Sequence, residues 1–124
     1  LHFEKGNSFV AGGMYCPDPI DLKKIRKEIE FFHEDLEEIL TKKIFITQYK
    51  ELTVEETNKL KKAPKDFDAN HPAIELLKFK SFTASQKLND NDFFEKDFAQ
   101  KIAQKMIVLQ PLNDFLRRAL ETIE

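Results

Sequence analysis

The chain opens in strand alternation, with Leu1 and Phe3 on one side and His2 and Glu4 on the other. Gly6-Asn7 then reads as a two-residue hairpin turn, because both types tolerate positive φ, and residues 8–15 supply the return strand. Gly12-Gly13 inside that strand suggests a bulge, or a place where another backbone or a ligand comes close. A lone hairpin is marginal in water and keeps a free edge, so strand partners are expected upstream and the sequence is expected to be part of a longer protein. Pro17-Asp18-Pro19 ends the strand and starts a helix, with Asp18 as N-cap and Pro19 as first helical residue. Leu22, Ile25, Ile29, Phe32, Leu36 and Leu40 follow at helical spacing as one buried stripe. A single helix through Tyr49 would exceed the usual length, so a break is expected near residues 32–34.

Residues 52–61 support two readings. Thr53 with Glu56 has capping-box spacing, while Leu52 and Val54 alternate as in a short strand. Pro72 then predicts a short helix over residues 72–77, capped by Asn70 or His71. Residues 78–88, with Phe79, Phe82 and Ala84, predict the next strand. Asn89-Asp90-Asn91-Asp92 closes it, and Asp92 with Glu95 has capping-box spacing for a further helix. Phe98, Ile102, Met106 and Leu109 form one helical stripe and Leu112, Phe115, Leu116, Ala119 and Ile123 another, with Pro111 expected to kink or break the helix between them. The sum is an α+β fold, one domain over residues 1–124, in which a small sheet of an N-terminal hairpin and a later strand packs against several helices.

Composition adjusts this picture only slightly. At 124 residues and 41% hydrophobic the chain can bury a core, which 12 Phe against 2 Tyr and no Trp predict to be Phe-rich. A net charge of −2 gives no global attraction to nucleic acid or an anionic membrane. One cysteine, Cys16, excludes an internal disulfide and an all-cysteine metal site and fits a reducing compartment. With no apolar run near the ~20 residues of a membrane span, the expected location is the cytoplasm, with no membrane partner.

Several blocks in order carry a resemblance: residues 6–29 around Gly12, Gly13, Pro17 and Asp18, then residues 60–88 with Pro64, Phe67, His71, Pro72, Leu76, Leu77, Lys80, Ser81 and Phe82, then the Pro-interrupted C-terminal helix. In this sequence they read as a paired-glycine strand leading to a Pro-Asp helix start, a lysine-rich Pro loop, an Asn-His-Pro helix start and a Lys-Ser-Phe strand. This arrangement resembles the C-terminal half of the bacterial family called domain of unknown function 2461. The resemblance implies an N-terminal half rich in Arg, Asp and Lys upstream of this sequence. It supplies a fold context and assigns no catalytic residues.

Each candidate chemistry has a structural competitor. Asp66, Asp68 and Asn70 mimic the opening of a calcium loop, but His71 stands where its turn needs Gly and Leu77 where its bidentate Glu belongs, so a polar helix-capping loop is expected instead. His71 is the one histidine among several polar groups and is an acid–base candidate with Asp68 or Glu75 beside it; a histidine before Pro is equally explained by helix capping. His2 and His33 lack the second His or Cys that a zinc site needs. Cys16, beside Pro17 and an apolar strand, reads as packing, with a reactive thiol at a helix start as the alternative. No residue set implies a cofactor.

Charge is segregated. Residues 28–38 hold six acids and no Lys or Arg, whereas residues 59–80 hold six Lys against Asp66, Asp68 and Glu75. Lys61, Lys62, Lys65, His71 and Lys80 are therefore the candidate anion-binding set, reinforced if the Pro72 helix start points its N–H groups the same way. Two function classes follow: a binding or interaction module that joins an upstream half and offers a basic loop to a phosphate-bearing ligand or nucleic acid, or part of an enzyme centred in that upstream half. A deep pocket converging on Gly12-Gly13, His71 and Lys80 is the mark of the enzyme, and an open basic surface that of the module.

Overall fold

The structure, a computed structural model, describes residues 1–121 and every side chain among them except that of Glu56. Its order is β1 (Ser8–Met14), α1 (Pro19–Thr41), α2 (Lys43–Tyr49), α3 (Ile74–Leu77), β2 (Phe82–Leu88) and α4 (Phe98–Glu121), with 3-10 turns at Glu56–Asn58 and Asp90–Phe94. β1 and β2 pair antiparallel, from Ser8 opposite Leu88 to Met14 opposite Phe82. This is the expected α+β fold, but the sheet is closed by residues far apart in sequence and not by a local hairpin.

The N-terminal residues contribute a single bridge. His2 exchanges hydrogen bonds with Phe9 at 2.8 and 3.0 Å, and residues 1–5 form no strand. The turn is one residue earlier than expected: Asn7 N–H donates to the Glu4 carbonyl, with Gly6 at φ 78 supplying the left-handed position. Phe3 packs edge-on to Phe93 in a satellite aromatic cluster, and Gly6 N–H donates to Asp90 at 2.9 Å. These local contacts hold the segment where a ladder does not.

β1 keeps an unbroken register, so Gly12-Gly13 makes no bulge. The glycines instead allow close approach. A Cβ on Gly12 would meet Leu109 Cδ1 at 2.7 Å, and one on Gly13, at φ 100, would stand 2.0 Å from the Phe82 carbonyl oxygen. One face of the sheet is thereby pressed against α4, with Val10, Phe82, Ala84 and Leu88 buried beneath it.

α1 begins as its sequence dictates: Asp18 Oδ1 accepts the Asp21 N–H at 2.9 Å and Pro19 occupies the first turn. Ile25, Ile29 and Leu36 are fully buried, while Phe32 leaves helical geometry at φ −129, ψ 32 and is half exposed. The expected break is thus a kink at Phe32, and the helix ends only at extended Lys42. α4 crosses Pro111 without interruption. The missing N–H orphans the carbonyl of Ile107, a residue exposed to solvent, where water can replace the lost bond at little cost. The α4 stripe is buried at Ile102, Leu109, Leu112, Phe115, Leu116 and Ala119, whereas Met106 is exposed and Ile123 lies outside the described residues. Buried polar contacts lock the helices together: Tyr49 donates to the Lys105 carbonyl at 2.7 Å, and Glu28, 7% exposed, accepts from Arg118.

Of the twelve Phe, only Phe45, Phe79, Phe82 and Phe115 are buried, so the core is as much Leu and Ile as Phe. Residues 52–60 are neither of the expected alternatives throughout. They run beside the outer edge of β2, with Thr53 N–H donating to the Thr83 carbonyl at 2.7 Å, a Lys59–Phe79 bridge, and a 3-10 turn between. The strand predicted over residues 78–88 starts at Phe82, because Lys78 still closes α3. The capping box forms between Asn89 and Asp92 instead of Asp92 and Glu95, and it caps the 3-10 turn at Asp90–Phe94.

Candidate functional site

The lysine-rich stretch folds as two tight turns. Phe67 N–H donates to the Pro64 carbonyl at 3.2 Å with Asp66 at φ 72, which puts Lys65 at the tip and buries Pro64. Asp68 then accepts the Asn70 N–H at 2.9 Å through its side chain and the His71 N–H through its carbonyl. The Asp66-Asp68-Asn70 run is a turn with Asp68 spent on its own backbone. Among the described residues, no group of three or more His, Cys, Asp or Glu is placed to hold a metal. Phe67 and Phe79 anchor the stretch in the core, as their apolar setting predicts.

α3 is shorter than expected. It starts at Ile74, not Pro72, because Ala73 leaves helical geometry at φ −104, ψ 26 and the Ile74 N–H closes a turn on the His71 carbonyl at 3.0 Å. His71 Nδ1 accepts the Ala73 N–H at 3.0 Å in the capping role expected of it. A four-residue helix carries no useful dipole, so the helix-start contribution to anion binding is withdrawn. His71 Nε2 reaches the Glu30 carbonyl at 3.0 Å. A backbone N–H only donates and a carbonyl only accepts, which fixes the ring as the neutral Nε2–H tautomer. With both nitrogens committed, His71 staples the loop to α1, its ring edge against His33 at 5.3 Å between centroids.

The six lysines divide into two groups. Lys59 and Lys78 both turn onto Glu75, at 3.0 and 2.9 Å. Hydrogen bonds from Lys78 and then Lys59, with their charges, hold the Glu75 carboxyl below the usual carboxylate range. Lys61, Lys62, Lys65 and Lys80 are exposed and make no ion pair among the described residues. Lys80 is tied to the others through the backbone: its N–H donates to Asn58 and the Leu60 N–H to Lys78, so residues 58–60 lie antiparallel to residues 78–80.

Lys80 also stands at a groove that sequence reasoning did not anticipate. The sheet face opposite α4 is uncovered and forms a trough of about 640 Å³ whose lining includes Phe9, Ala11, Tyr15, Cys16, Lys80 and Lys87. Residues 53–58 wall one side, braced by Asn58, whose amide donates to the Thr53 carbonyl at 2.8 Å and whose Oδ1 accepts the Ser81 N–H at 2.8 Å. Ser81 is buried, and its hydroxyl accepts the Cys16 N–H at 2.8 Å. Cys16 itself is exposed, at φ 45, and so is not the packing residue its neighbours suggested. Tyr15 beside it is 79% exposed, its phenol pushed up by a hydrogen bond to Cys16 and that side chain's charge. Among the described residues lining the groove Glu55 is the one acid, and there is no histidine. The signal was present as the alternation Phe9, Ala11, Gly13, Tyr15, but its meaning depends on the distant strand that pairs with it.

The candidate residues do not converge. Gly12 faces Leu109, Gly13 N–H donates to Asn113 at 2.9 Å, His71 is held on α1, and Lys80 is in the groove. Fold and site together define an α+β domain with one covered and one open sheet face and a basic loop at its margin. Residues 1–115 match the family model described as conserved hypothetical protein DUF2461, and the chain belongs to that family. No curated protein and no solved structure matched it in the same comparisons. Among the described residues no helix is long and apolar enough to cross a membrane.

Proposed function

We propose that this chain is a binding module that presents Lys61, Lys62, Lys65 and Lys80 to an anionic, phosphate-bearing partner, with His71 fixing the loop that carries three of them. The observation that supports it is the division of the lysines: two share Glu75, while four stand in solvent with no ion pair among the described residues. An open surface with scattered glycines and histidine suits a module better than an enzyme centre, which needs its groups within hydrogen-bond reach of one substrate. In the same reading the chain is the C-terminal part of a longer family member. Continuing the antiparallel register of His2 with Phe9 would lay residues preceding Leu1 beside Ala11, whose edge groups have no partner among the described residues.

The test is calorimetric titration with an inorganic polyphosphate chain at several ionic strengths. Affinity is expected to fall with salt, and Lys62→Ala with Lys65→Ala to flatten that dependence. Salt-independent binding, or none at low ionic strength, would remove the basic loop as a functional surface.

A further inference from the structure

We propose that the groove over the open sheet face binds single-stranded nucleic acid, an inference that rests on the anion-binding reading above and names its ligand. Strand alternation turns Phe9, Ala11 and Gly13 toward this face, opposite Lys87, Ser85 and Thr83 on β2. Ala11, Gly13 and Ser85 make a low, flat floor. Rings stand at its two ends. Phe9 is backed by His2, stacked on it at 4.7 Å and 22°, and Tyr15 is 79% exposed. Six residues of extended chain separate the two rings by roughly 20 Å, so more than one unstacked base fits between them.

The charges suit a phosphate backbone. Lys80 and Lys87 both line the groove, and neither has an ion pair among the described residues. Glu55 is the opposing charge on the wall. Aromatic platforms on an open sheet flanked by cations are how proteins hold single strands, whose bases are free to stack; in a duplex they are not.

The backbone argues against an added peptide strand, the other common occupant of an open sheet. Thr53 occupies the outer edge of β2, donating to Thr83. The free edge of β1 is closed by His2 at Phe9 and by the Asn113 side chain at Gly13, so only Ala11 remains between them. On the β1 edge too little ladder is open to add a strand, and on β2 only the stretch beyond Thr83 has no backbone partner among the described residues. What the groove offers is rings, hydroxyls and charge.

The experiment is fluorescence anisotropy of a labelled oligothymidylate with the whole chain, set beside a duplex of equal length, inorganic polyphosphate and polyglutamate. The single strand is expected to bind more tightly than the other three. Tyr15→Ala is expected to weaken it about five- to a hundredfold, whereas Tyr15→Phe keeps the ring and the affinity. Lys80→Ala with Lys87→Ala should lower the slope of log affinity against log salt by about 1.4, the loss of two phosphate contacts on a single strand. Glu55→Gln should tighten binding. If polyphosphate binds as well as the oligonucleotide, or Tyr15→Ala changes nothing, the inference is overturned while the anion-binding reading stands. Tighter binding of polyglutamate would assign the groove to an acidic protein and overturn it too. If neither polyphosphate nor oligonucleotide binds, both readings fall.

Discussion

Replacing Gly13 by alanine should be the most damaging glycine substitution in this protein, and the structure ranks it against two internal controls. At Gly6, φ 78 with nothing within 4 Å of a new Cβ, alanine meets only the left-handed backbone penalty, about 1 kcal/mol. At Gly12 the backbone is ordinary but the Cβ would stand 2.7 Å from Leu109 Cδ1, the end of a buried side chain that can shift at an overpacking cost of about 1–3 kcal/mol. At Gly13 both costs fall together: φ is 100, and the Cβ would lie 2.0 Å from the Phe82 carbonyl oxygen, a backbone atom of the paired strand. Relief requires the strands to part where Gly13 faces Thr83 and where Asn113 receives its N–H. Strain of ~1–3 kcal/mol plus one or two lost hydrogen bonds at ~1 kcal/mol each gives a cost of about 2–5 kcal/mol. That is a large share of a typical domain stability of about 5–15 kcal/mol. Urea denaturation of the three variants should order them Gly6→Ala, Gly12→Ala, Gly13→Ala by falling midpoint, the last lower in Tm by about 10 °C or more. A Gly13→Ala protein as stable as Gly6→Ala would refute the register at Met14–Phe82 and with it the open groove.

Other substitutions probe separate parts of the structure. Asp18→Ala should cost ~1 kcal/mol in denaturation by freeing the Asp21 N–H, with polyphosphate binding unchanged; loss of binding at full stability would make Asp18 a ligand contact. Burial pushes the Tyr49 phenol up to about 12, against an unfolded value near 10. Its contribution is complete below about pH 10 and lost as pH rises through about 12, so between them the urea midpoint should fall more steeply than in Tyr49→Phe; parallel curves would contradict the buried bond to Lys105. Glu75→Gln should release Lys59 and Lys78 and tighten polyphosphate binding with a steeper salt dependence; unchanged titrations would mean the two lysines lie outside the binding surface.

What was legible in the sequence was local. Asp18-Pro19 fixed a helix start because cap and first turn are neighbours, and the Ile25, Ile29, Leu36 stripe followed from one helix's own geometry. The misreadings arose where a distant group decided the outcome. Gly6 did mark a turn, but the partner of β1 lay at Phe82–Leu88, which no nearby signal announces. Pro72 looked like a helix start, and His71 does cap the Ala73 N–H, but with its ring held on Glu30 of α1 the chain turns at Ala73 and becomes helical only from Ile74. Pro111 looked like a break, yet exposure of Ile107 made the lost bond cheap. In the candidate site Lys61, Lys62, Lys65 and Lys80 are exposed, while the pairing that holds Lys59 and Lys78 was not legible, because Glu75 reaches one lysine 16 residues before it and another three after.

The sheet also sets an order of events during synthesis. Ser8 pairs with Leu88 and Met14 with Phe82, so β1 leaves the ribosome long before any residue of its partner exists. Until β2 emerges, Val10, which the finished domain buries completely, has no strand or helix α4 to cover it. β1 therefore stays unpaired while the residues between it and β2 are made, and closing it demands a non-local contact of the kind that slows folding. Slower elongation lengthens that interval, and with it the time for which β1 offers an unpaired edge to chaperones or to other chains.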